Sequence, residues 1–303
     1  MKKTILIFGV SSFVGSNLLE ILKADYRIIG TYFKTPVKIP GITCVPCDVL
    51  RKDYVSSLIS RFRPDFTIYA VGMSSLKSCS LAPKQSDALN SAGAANCAAA
   101  SERYDSRFVF ISSAYVLGGD QTICREGETP FPNTAYGSAL SSSEFYVQRS
   151  CLNYLILRCS SLYGRSYNPA HPNWFEALET SLAKGMPLEV DDKIRVGFLD
   201  VYFLGLVLKA LLDKNARNRL FHVSSKDFMT RYEFAQLYAR TFHKDPGLII
   251  RSGGKFPVEK NKSSSNDGQY SFCLDTSNIE EFLNAKMPGI EDSLAMTHKR
   301  FHG

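Results

Sequence analysis

The sequence predicts an α/β fold in which a doubly wound parallel sheet is followed by a small C-terminal α/β unit. Short β-branched segments alternate with helical patterns between residues 4 and 158. This alternation is typical of a parallel sheet with helices on both faces. A glycine-bearing turn joins the first strand to the first helix, and after Gly164 shorter elements are separated by segments rich in Pro, Asn and Ser.

Each predicted strand is a short apolar or β-branched run, and each predicted helix shows an apolar stripe or an end signal. Leu18, Leu19 and Leu22 form such a stripe in the first helix, and Pro83 suits the first turn of a long Ala-rich helix. The predicted strands cover residues 4–8, 27–32, 42–45, 66–71, 107–112 and 154–158. The predicted helices cover residues 14–24, 54–62, 83–104 and 134–150.

Composition and charge exclude several classes of protein. With 45% apolar residues, the 303-residue chain can bury a core, which excludes a disordered chain. No segment approaches the ~20 apolar residues of a membrane span. The sequence also lacks the basic stripe with interleaved aromatic residues that would predict nucleic-acid binding. The net charge of +7 fits either a slightly basic surface or a site for anionic ligands.

The cysteines and histidines predict no metal site. Of the eight cysteines, only Cys44 and Cys47 have C-x-x-C spacing, without a second pair nearby. The five histidines show no metal-ligand spacing. We therefore expect buried, reduced thiols and a cytoplasmic location.

The first turn predicts a dinucleotide-binding site of the Rossmann type. Gly9 can make the tight turn after the first strand, and Gly15 lets the first helix pack on that strand. The helix N-terminus then faces the pyrophosphate. Ser12 occupies the position of the usual middle glycine, where its hydroxyl could donate a hydrogen bond. The expected cofactor contacts in this turn are Gly9, Ser11, Ser12, Phe13, Val14 and Gly15.

The end of the second strand favours NADP over NAD. Enzymes that prefer NAD usually place a carboxylate there, against the ribose 2′-hydroxyl. Residues 30–34 contain no carboxylate and one cation, Lys34, which we expect to face a 2′-phosphate. Asp48 and Val49 end the third strand, where an aspartate commonly meets the adenine amino group.

The change of rhythm after Gly164 predicts two interleaved domains. We expect residues 1–165 to form the NADP-binding domain, to which residues 196–223 return. Residues 166–195 and 224–303 are expected to form the substrate-binding domain.

Three motifs follow one another along the chain at a characteristic spacing. Residues 110–116 end the fifth strand, residues 130–137 open the following helix, and residues 155–164 end the sixth strand. Their order and spacing resemble the extended short-chain dehydrogenase/reductase superfamily, and within it the dTDP-4-dehydrorhamnose reductase branch of nucleotide-sugar enzymes. The resemblance covers nearly the whole chain.

The resemblance implies a pair of catalytic hydroxyl groups. Tyr136 matches the tyrosine that donates a proton to a ketone oxygen while hydride arrives from the nicotinamide. Ser113 matches the residue that hydrogen-bonds the same oxygen. The other matches imply cofactor contacts at Ala70, Val71, Gly72, Ser112 and Cys159, and substrate contacts at Ser161, Asn173 and Arg195.

One residue departs from the family pattern. The family's tyrosine is followed four residues later by a lysine, which binds the nicotinamide ribose and lowers the tyrosine pKa. Leu140 occupies that position and can do neither. Lys77, in a predicted loop after the fourth strand, is the candidate for a replacement cation, and an exposed loop lysine is the alternative interpretation.

The resemblance implies NADPH-dependent reduction of a 4-keto-6-deoxy sugar carried on a nucleoside diphosphate, for polysaccharide biosynthesis. A homodimer is the oligomeric state that we expect. Two alternatives stay open. One is epimerisation or dehydration of a nucleotide sugar, although Ala114 and Tyr115 stand where dehydratases commonly carry carboxylates. The other is a non-catalytic dinucleotide-binding regulatory subunit, because the resemblance extends to that of methionine adenosyltransferase.

Overall fold

A seven-stranded parallel sheet forms the centre of the molecule. The computed structural model describes residues 2–119, 122–167, 172–252 and 270–302. In chain order the strands are β1 (Thr4–Phe8), β2 (Arg27–Tyr32), β3 (Thr43–Pro46), β4 (Phe66–Tyr69), β5 (Arg107–Ser113), β6 (Tyr154–Cys159), β7 (Ser161–Tyr163), β8 (Leu188–Val190), β9 (Ile194–Val196), β10 (Phe198–Asp200), β11 (Arg219–Val223), β12 (Met229–Thr230), β13 (Ile249–Arg251) and β14 (Tyr270–Phe272). The helices are α1 (Phe13–Leu22), α2 (Lys52–Phe62), α3 (Leu76–Leu81), α4 (Pro83–Asp87), α5 (Gly93–Arg103), α6 (Ala135–Ser150), α7 (Trp174–Ala183), α8 (Val201–Asp213), α9 (Arg231–Thr241), α10 (Ser277–Leu283) and α11 (Ile290–His302).

The strand order of the central sheet is β11-β6-β5-β4-β1-β2-β3, and each neighbouring pair is parallel. The six strands predicted before Gly164 are all present. The Rossmann-type α/β fold class is therefore confirmed. The chain order reverses between β1 and β4, so the carboxyl ends of these strands open a crevice of the kind that binds ligands in such sheets.

The long helix predicted over residues 83–104 is interrupted. A π-helical segment, Ala88–Ala92, separates α4 from α5. Within this segment, the Asn90 side chain accepts the Met73 N–H at 3.0 Å and donates to the Met73 carbonyl oxygen at 2.9 Å. These bonds fix the chain that follows β4 against the helix, a long-range constraint that helical periodicity does not reveal.

Two helical layers cover the sheet. Successive residues of β1 face opposite cores: Ile5 packs in the core that includes α1 and α8, and Leu6 in the core that includes α2, α5 and α6. The packing of α8 on α1 is close, since a Cβ on Gly205 would lie 2.8 Å from Ile21 Cγ1. Because both faces of the sheet are buried, a central strand such as β1 is apolar at successive positions and does not alternate with polar residues.

Three small sheets lie beyond β6. β7 pairs with β10, β9 pairs with β12 and β14, and β8 pairs with β13, whereas β11 returns to the central sheet beside β6. An aromatic cluster supports this region: the ring centroids of Phe198 and Phe234 lie 4.5 Å apart, and Trp174 lies 5.6 and 5.4 Å from them. The domain boundaries at residues 165, 195 and 223 stay predictions. Residues 168–171 and 253–269 of the expected substrate-binding domain lie outside the described residues.

The described residues contain free cysteines, and none of their side-chain clusters or helices suits a metal ion or a membrane span. All eight cysteines are free thiols, and seven of them are buried. Among the described residues, no group of three or more His, Cys, Asp or Glu side chains could hold a metal ion, and His171 lies outside those residues. None of the helices in the described ranges has the length and apolar character needed to cross a membrane. The homodimer and the cytoplasmic location stay predictions.

Candidate active site

A cleft of about 330 Å³ opens at the carboxyl ends of β1, β4, β5 and β6. It brings together residues from the glycine turn, the central strands and the helices beyond them. A concave site with a few polar groups is typical of small-molecule and cofactor binding. The predicted site residues that line it are Ser12, Phe13, Val14, Ala70, Val71, Gly72, Ser112, Ser113, Tyr136, Cys159, Ser161 and Asn173.

Gly9 and Gly15 build the turn between β1 and α1. Gly9 has a positive φ of 83°, and a Cβ there would lie 2.9 Å from the Ala70 carbonyl oxygen. A Cβ on Gly15 would lie 2.2 Å from the Gly9 carbonyl oxygen. Both positions therefore require glycine, and the turn brings the N-terminus of α1 to the cleft. Ser11 lies in the same turn but does not line the cleft.

Ser12 caps the first helix. Its Oγ accepts the Gly15 N–H at 3.0 Å, which satisfies one of the amides left free at a helix start. The hydroxyl hydrogen of Ser12 takes no part in that bond. It is therefore available for donation to an anion in the cleft, which Ser12 lines.

Lys34, Asp48 and Val49 lie on neighbouring strand ends and do not line the cleft. Lys34 is exposed, with its Nζ 5.3 Å from the Phe33 ring centroid. Asp48 accepts the Leu50 N–H at 3.0 Å, and Val49 is buried. Because β2 and β3 run parallel to β1, their ends lie at the same edge of the sheet as the glycine turn. The roles of the three residues stay predictions.

Tyr136 and Ser113 meet in the cleft. Tyr136 lies in the first turn of α6, where the N-cap Thr134 accepts the Gly137 N–H at 3.0 Å. A Cβ on Gly137 would lie 1.9 Å from the Tyr115 carbonyl oxygen, so α6 can pack this closely only with glycine there. Ser113 is the last residue of β5, and its side chain lies close enough to Tyr136 to affect the pKa of the phenol.

Burial determines the acidity of Tyr136. It raises the pKa of this phenol above the usual value of 10.0, and the buried thiols of Cys79 and Cys159 act in the same direction, whereas the neighbouring Ser113 hydroxyl opposes the rise. Leu140, one turn along α6, also lines the cleft and is 3% exposed. Tyr136 therefore stays protonated well into the alkaline range, which suits a proton donor.

Two cations that the sequence analysis considered lie outside the cleft lining. Lys77 was expected in a loop, but it is exposed on α3. This helix forms because Ser75 caps it, with Oγ accepting the Ser78 N–H at 3.2 Å. The guanidinium of Arg195 donates to the Phe228 carbonyl oxygen at 2.9 Å.

Arg231 is a candidate binding residue that the sequence analysis missed. Among the described residues that line the cleft, it alone carries a positive charge. It is the first residue of α9, and its guanidinium lies 5.2 Å from the Trp174 ring centroid, within cation–π range. Trp174 is itself fixed, because its Nε1 donates to the Leu162 carbonyl oxygen at 3.1 Å. The sequence marked Arg231 only as a helix start.

Asn173 and Ser161 border the cleft on the side of α7. The Asn173 side chain caps this helix, accepting the N–H groups of Phe175 at 2.9 Å and Glu176 at 3.1 Å. Its Nδ2 donates to the Gly164 carbonyl oxygen at 2.9 Å. Asn173 therefore fixes the chain between β7 and α7, in addition to lining the cleft.

One family model covers almost all of the sequence. Residues 1–301 match the model described as RmlD substrate binding domain. The chain belongs to this family. The resemblance to the extended short-chain dehydrogenase/reductase superfamily and its dTDP-4-dehydrorhamnose reductase branch is thereby confirmed.

Individual relatives of this RmlD-family chain are distant but extensive. The probable low-salt glycan biosynthesis reductase Agl14 of Haloferax volcanii is 25% identical, over 97% of this chain and 97% of its own length. The methionine adenosyltransferase 2 subunit beta of Danio rerio is 24% identical, over 67% of this chain and 64% of its own length. The structure of the dTDP-4-dehydrorhamnose reductase from Bacillus anthracis in complex with NADP superposes with a TM-score of 0.82 at 20% identity, over 99% of this chain and 100% of that one. The relatives thus include a probable reductase as well as a subunit of a methionine adenosyltransferase.

Proposed function

We propose that the protein reduces a 4-keto-6-deoxy sugar carried on a nucleoside diphosphate, with NADPH as the hydride donor. The observation that carries this proposal is that Ser113 and Tyr136 line the same cleft as the glycine turn. A pair of hydroxyl groups suits proton transfer to a ketone oxygen and stabilisation of its developing charge. Membership of a reductase-containing family, and a relative named for glycan biosynthesis, support an oxidoreductase in polysaccharide assembly.

The glycine turn fits the pyrophosphate of a dinucleotide. Gly9 and Gly15 permit the tight turn, since a Cβ on either would clash with a neighbouring carbonyl oxygen, and this turn brings the N-terminus of α1 to the cleft, where it can face an anion. The Ser12 hydroxyl adds a donor in the same place. Lys34, at the end of β2, is the residue proposed to contact a 2′-phosphate. The contacts proposed for the rest of the cofactor are Ser11, Phe13, Val14, Asp48, Val49, Ala70, Val71, Gly72, Ser112 and Cys159.

Tyr136 and Ser113 have different roles at the ketone oxygen of the substrate. The bound dinucleotide supplies the hydride. Tyr136, whose pKa is raised by burial, holds its phenolic proton at neutral pH and donates it to the oxygen as negative charge develops there. Ser113, beside the phenol, donates its one hydroxyl proton in a second hydrogen bond to that oxygen.

The substrate end of the cleft suits a phosphorylated ligand. Arg231 presents a guanidinium, which can form paired hydrogen bonds with phosphate oxygens. Ser161 and Asn173 line the cleft with hydroxyl and amide groups suited to sugar hydroxyls. We therefore assign the diphosphate to Arg231, and keep Arg195, favoured by the sequence, as the alternative.

A second candidate function is a dinucleotide-binding subunit without catalysis. Leu140 favours it, because the residue one turn after Tyr136 supplies neither a cation nor a ribose ligand. The similarity to a methionine adenosyltransferase subunit is consistent with it. Epimerisation or dehydration is a weaker alternative, since Ala114 and Tyr115 provide no carboxylate after Ser113.

Replacement of Tyr136 by phenylalanine tests the proposal. Tyr136→Phe should lower kcat for reduction of a nucleotide-linked keto sugar by about 10²- to 10⁴-fold, the usual worth of a general acid, with NADPH binding unchanged. Tyr146→Phe is the matched control, since Tyr146 lies exposed on the same helix. Full reduction by Tyr136→Phe, or a wild-type protein that binds NADPH and reduces no keto sugar, would refute the reductase assignment in favour of the subunit.

A further inference from the structure

A row of buried polar side chains crosses the central sheet beside the cleft. Ser112 on β5 is the register partner of Arg158 on β6, and Arg158 is the register partner of His222 on β11. Glu144 reaches this row from α6. The exposed fractions are 3% for Ser112, 2% for Arg158, 0% for His222 and 2% for Glu144. Burying charged side chains costs free energy unless they are paired, so the presence of this network beside the cleft indicates a specific role.

Glu144 is the centre of this network. Its carboxylate accepts the Ser112 hydroxyl at 2.6 Å, and it accepts Nη2 of Arg158 at 2.7 Å and Nε at 3.0 Å. Nη1 of Arg158 lies 3.4 Å from His222 Nε2. Burial and the charge of Arg158 lower the pKa of His222 to about 3, so the imidazole is neutral. The charge of Arg158 is therefore balanced by Glu144.

The network joins the elements that carry the candidate catalytic groups. Glu144 lies two helical turns beyond Tyr136 on α6, and Ser112 directly precedes Ser113 at the end of β5. We propose that Glu144 is a positioning residue: by binding Ser112 and Arg158 together, it fixes α6 relative to β5 and so sets the separation of the Ser113 and Tyr136 hydroxyl groups. This inference rests on the proposed function.

Stability alone does not account for an ion pair at this place. Apolar residues of similar volume in place of a buried ion pair are often as stabilising, or more so. α6 already packs through buried apolar side chains, among them Leu140 and Val147. Paired hydrogen bonds between a guanidinium and a carboxylate add direction, since they fix both distance and orientation. Direction matters in a reacting pair, because a misplacement of about 1 Å can lower the rate by about 10²-fold.

The double variant Glu144→Met with Arg158→Met separates positioning from stability. It removes both charges, roughly keeps the volume, and leaves the Ser112 hydroxyl without its acceptor. We expect a folded protein whose melting temperature falls no further than that of Ser112→Ala, because the charges are removed as a pair and only the Ser112 hydrogen bond is lost without compensation. We also expect kcat for ketone reduction to fall about 10- to 100-fold while the KM for NADPH stays within about threefold. An unchanged kcat in the folded double variant would overturn the inference.

Ser112→Ala gives a second test that leaves the ion pair in place. Its matched control is Ser143→Ala, because Ser143 neighbours Glu144 on α6 and its buried hydroxyl donates to the Asn90 carbonyl oxygen at 2.7 Å, outside the network. Each variant loses one buried hydrogen bond, so their losses of stability should be similar. Only Ser112→Ala should lower kcat, by about tenfold, and the KM for NADPH should stay within about threefold in both variants, which separates positioning from a lost cofactor contact at Ser112. Equal kcat values in the two variants would overturn the inference, even if the double variant failed to fold.

Failure of the proposed function would be distinguishable from failure of the positioning role. A wild-type protein that binds NADPH but reduces no keto sugar refutes the reductase, and amide hydrogen exchange then decides the role of Glu144. The amide hydrogens of residues 113–116 and 136–140 should exchange at least about threefold faster in Ser112→Ala than in Ser143→Ala. The reason is that loss of the Ser112 hydrogen bond weakens the link between β5 and α6 locally. Equal exchange in these two segments would overturn the inference.

Discussion

Tyr136 and Leu140 lie one helical turn apart on α6, and both side chains line the same cleft. Residues four apart share a helix face, so Leu140 adds apolar surface, and no charge, beside the phenol. The pKa of Tyr136 is correspondingly raised by burial. A protonated phenol can donate its proton during reduction of a ketone, whereas oxidation of an alcohol requires the tyrosinate as a base. The cleft is therefore better suited to reduction than to the reverse reaction.

Leu140→Lys is expected to raise kcat with NADPH about tenfold and to move the basic limb of the pH–rate profile to lower pH. An ammonium group beside Tyr136 stabilises the tyrosinate and so lowers the pKa of the phenol. It also supplies a ligand for the nicotinamide ribose. Steady-state rates measured between about pH 6 and pH 10 check both effects. The control is Leu140→Met, which has a similar length without charge and should leave the profile in place.

A neutral or harmful effect of Leu140→Lys would mean that another cation already serves Tyr136. Lys77→Ala is the companion variant, because Lys77 was the sequence-based candidate and is exposed on α3. Full activity of Lys77→Ala removes this lysine from consideration. Lost activity, with cofactor binding unchanged, would instead keep Lys77 as the cation that serves Tyr136.

Lys34→Gln is expected to weaken NADPH binding about five- to tenfold, which is about 1 to 1.4 kcal/mol, and to leave NADH binding unchanged. The reason is that only NADPH carries the 2′-phosphate that an exposed lysine at the end of β2 can contact. Titration of both dinucleotides measures the effect. Lys38→Gln is the matched control, since Lys38 is exposed in the same loop. Equal losses for both dinucleotides, or a wild-type preference for NADH, would contradict the NADP assignment.

Arg231→Met should raise the KM for the nucleotide sugar at least tenfold while kcat changes little. The guanidinium beside Trp174 is placed to bind the diphosphate, which does not change charge during the reaction, so its loss affects binding rather than the chemical step. Arg195→Met is the comparison, and its KM should stay within about twofold because Arg195 already donates to Phe228. The reverse order of effects would restore the assignment made from the sequence.

The sequence was informative where a local pattern determines the structure. Thr4–Phe8 and Arg27–Tyr32 are strands with the predicted bounds, since each contains a short run of β-branched and apolar residues. Gly9 and Gly15 could be assigned because a turn between a strand and a helix has its own requirement for glycine.

Contacts between segments that are distant in the sequence could not be predicted from the sequence. Arg231 looks like any helix-starting arginine until α9 packs beside Trp174. Glu144 and Arg158 look like surface charges, because charged residues are rarely buried unless they are paired, and nothing local pairs a helix residue with a strand residue. The departure at Leu140 was visible only as a difference from a family pattern. Its effect on the acidity of Tyr136 depends on burial, which the fold provides.

His222 makes the stability of the fold sensitive to acid. It is fully buried, and burial and Arg158 lower its pKa to about 3, compared with the usual 6.5. Between these two values the unfolded chain binds one more proton at this position than the folded protein does. The free energy of unfolding therefore falls as the pH is lowered from about 6.5 towards 3, because stability rises with pH wherever the unfolded state holds more protons.

His222→Gln should remove this part of the acid sensitivity, since glutamine does not titrate. Between pH 7.5 and pH 5 the wild type should lose about 2 kcal/mol more of its free energy of unfolding than the variant does, a value set by the titration of an unfolded histidine. Urea unfolding at the two pH values measures the difference.

Glu126, whose pKa is raised by burial, accepts the backbone N–H of residue 222 and so contributes equally to both proteins. His302→Gln, at an exposed position of α11, is the control and should follow the wild type. If wild type and His222→Gln lost the same free energy, His222 would have to be protonated in the folded state, and the charge balance between Arg158 and Glu144 would need another explanation.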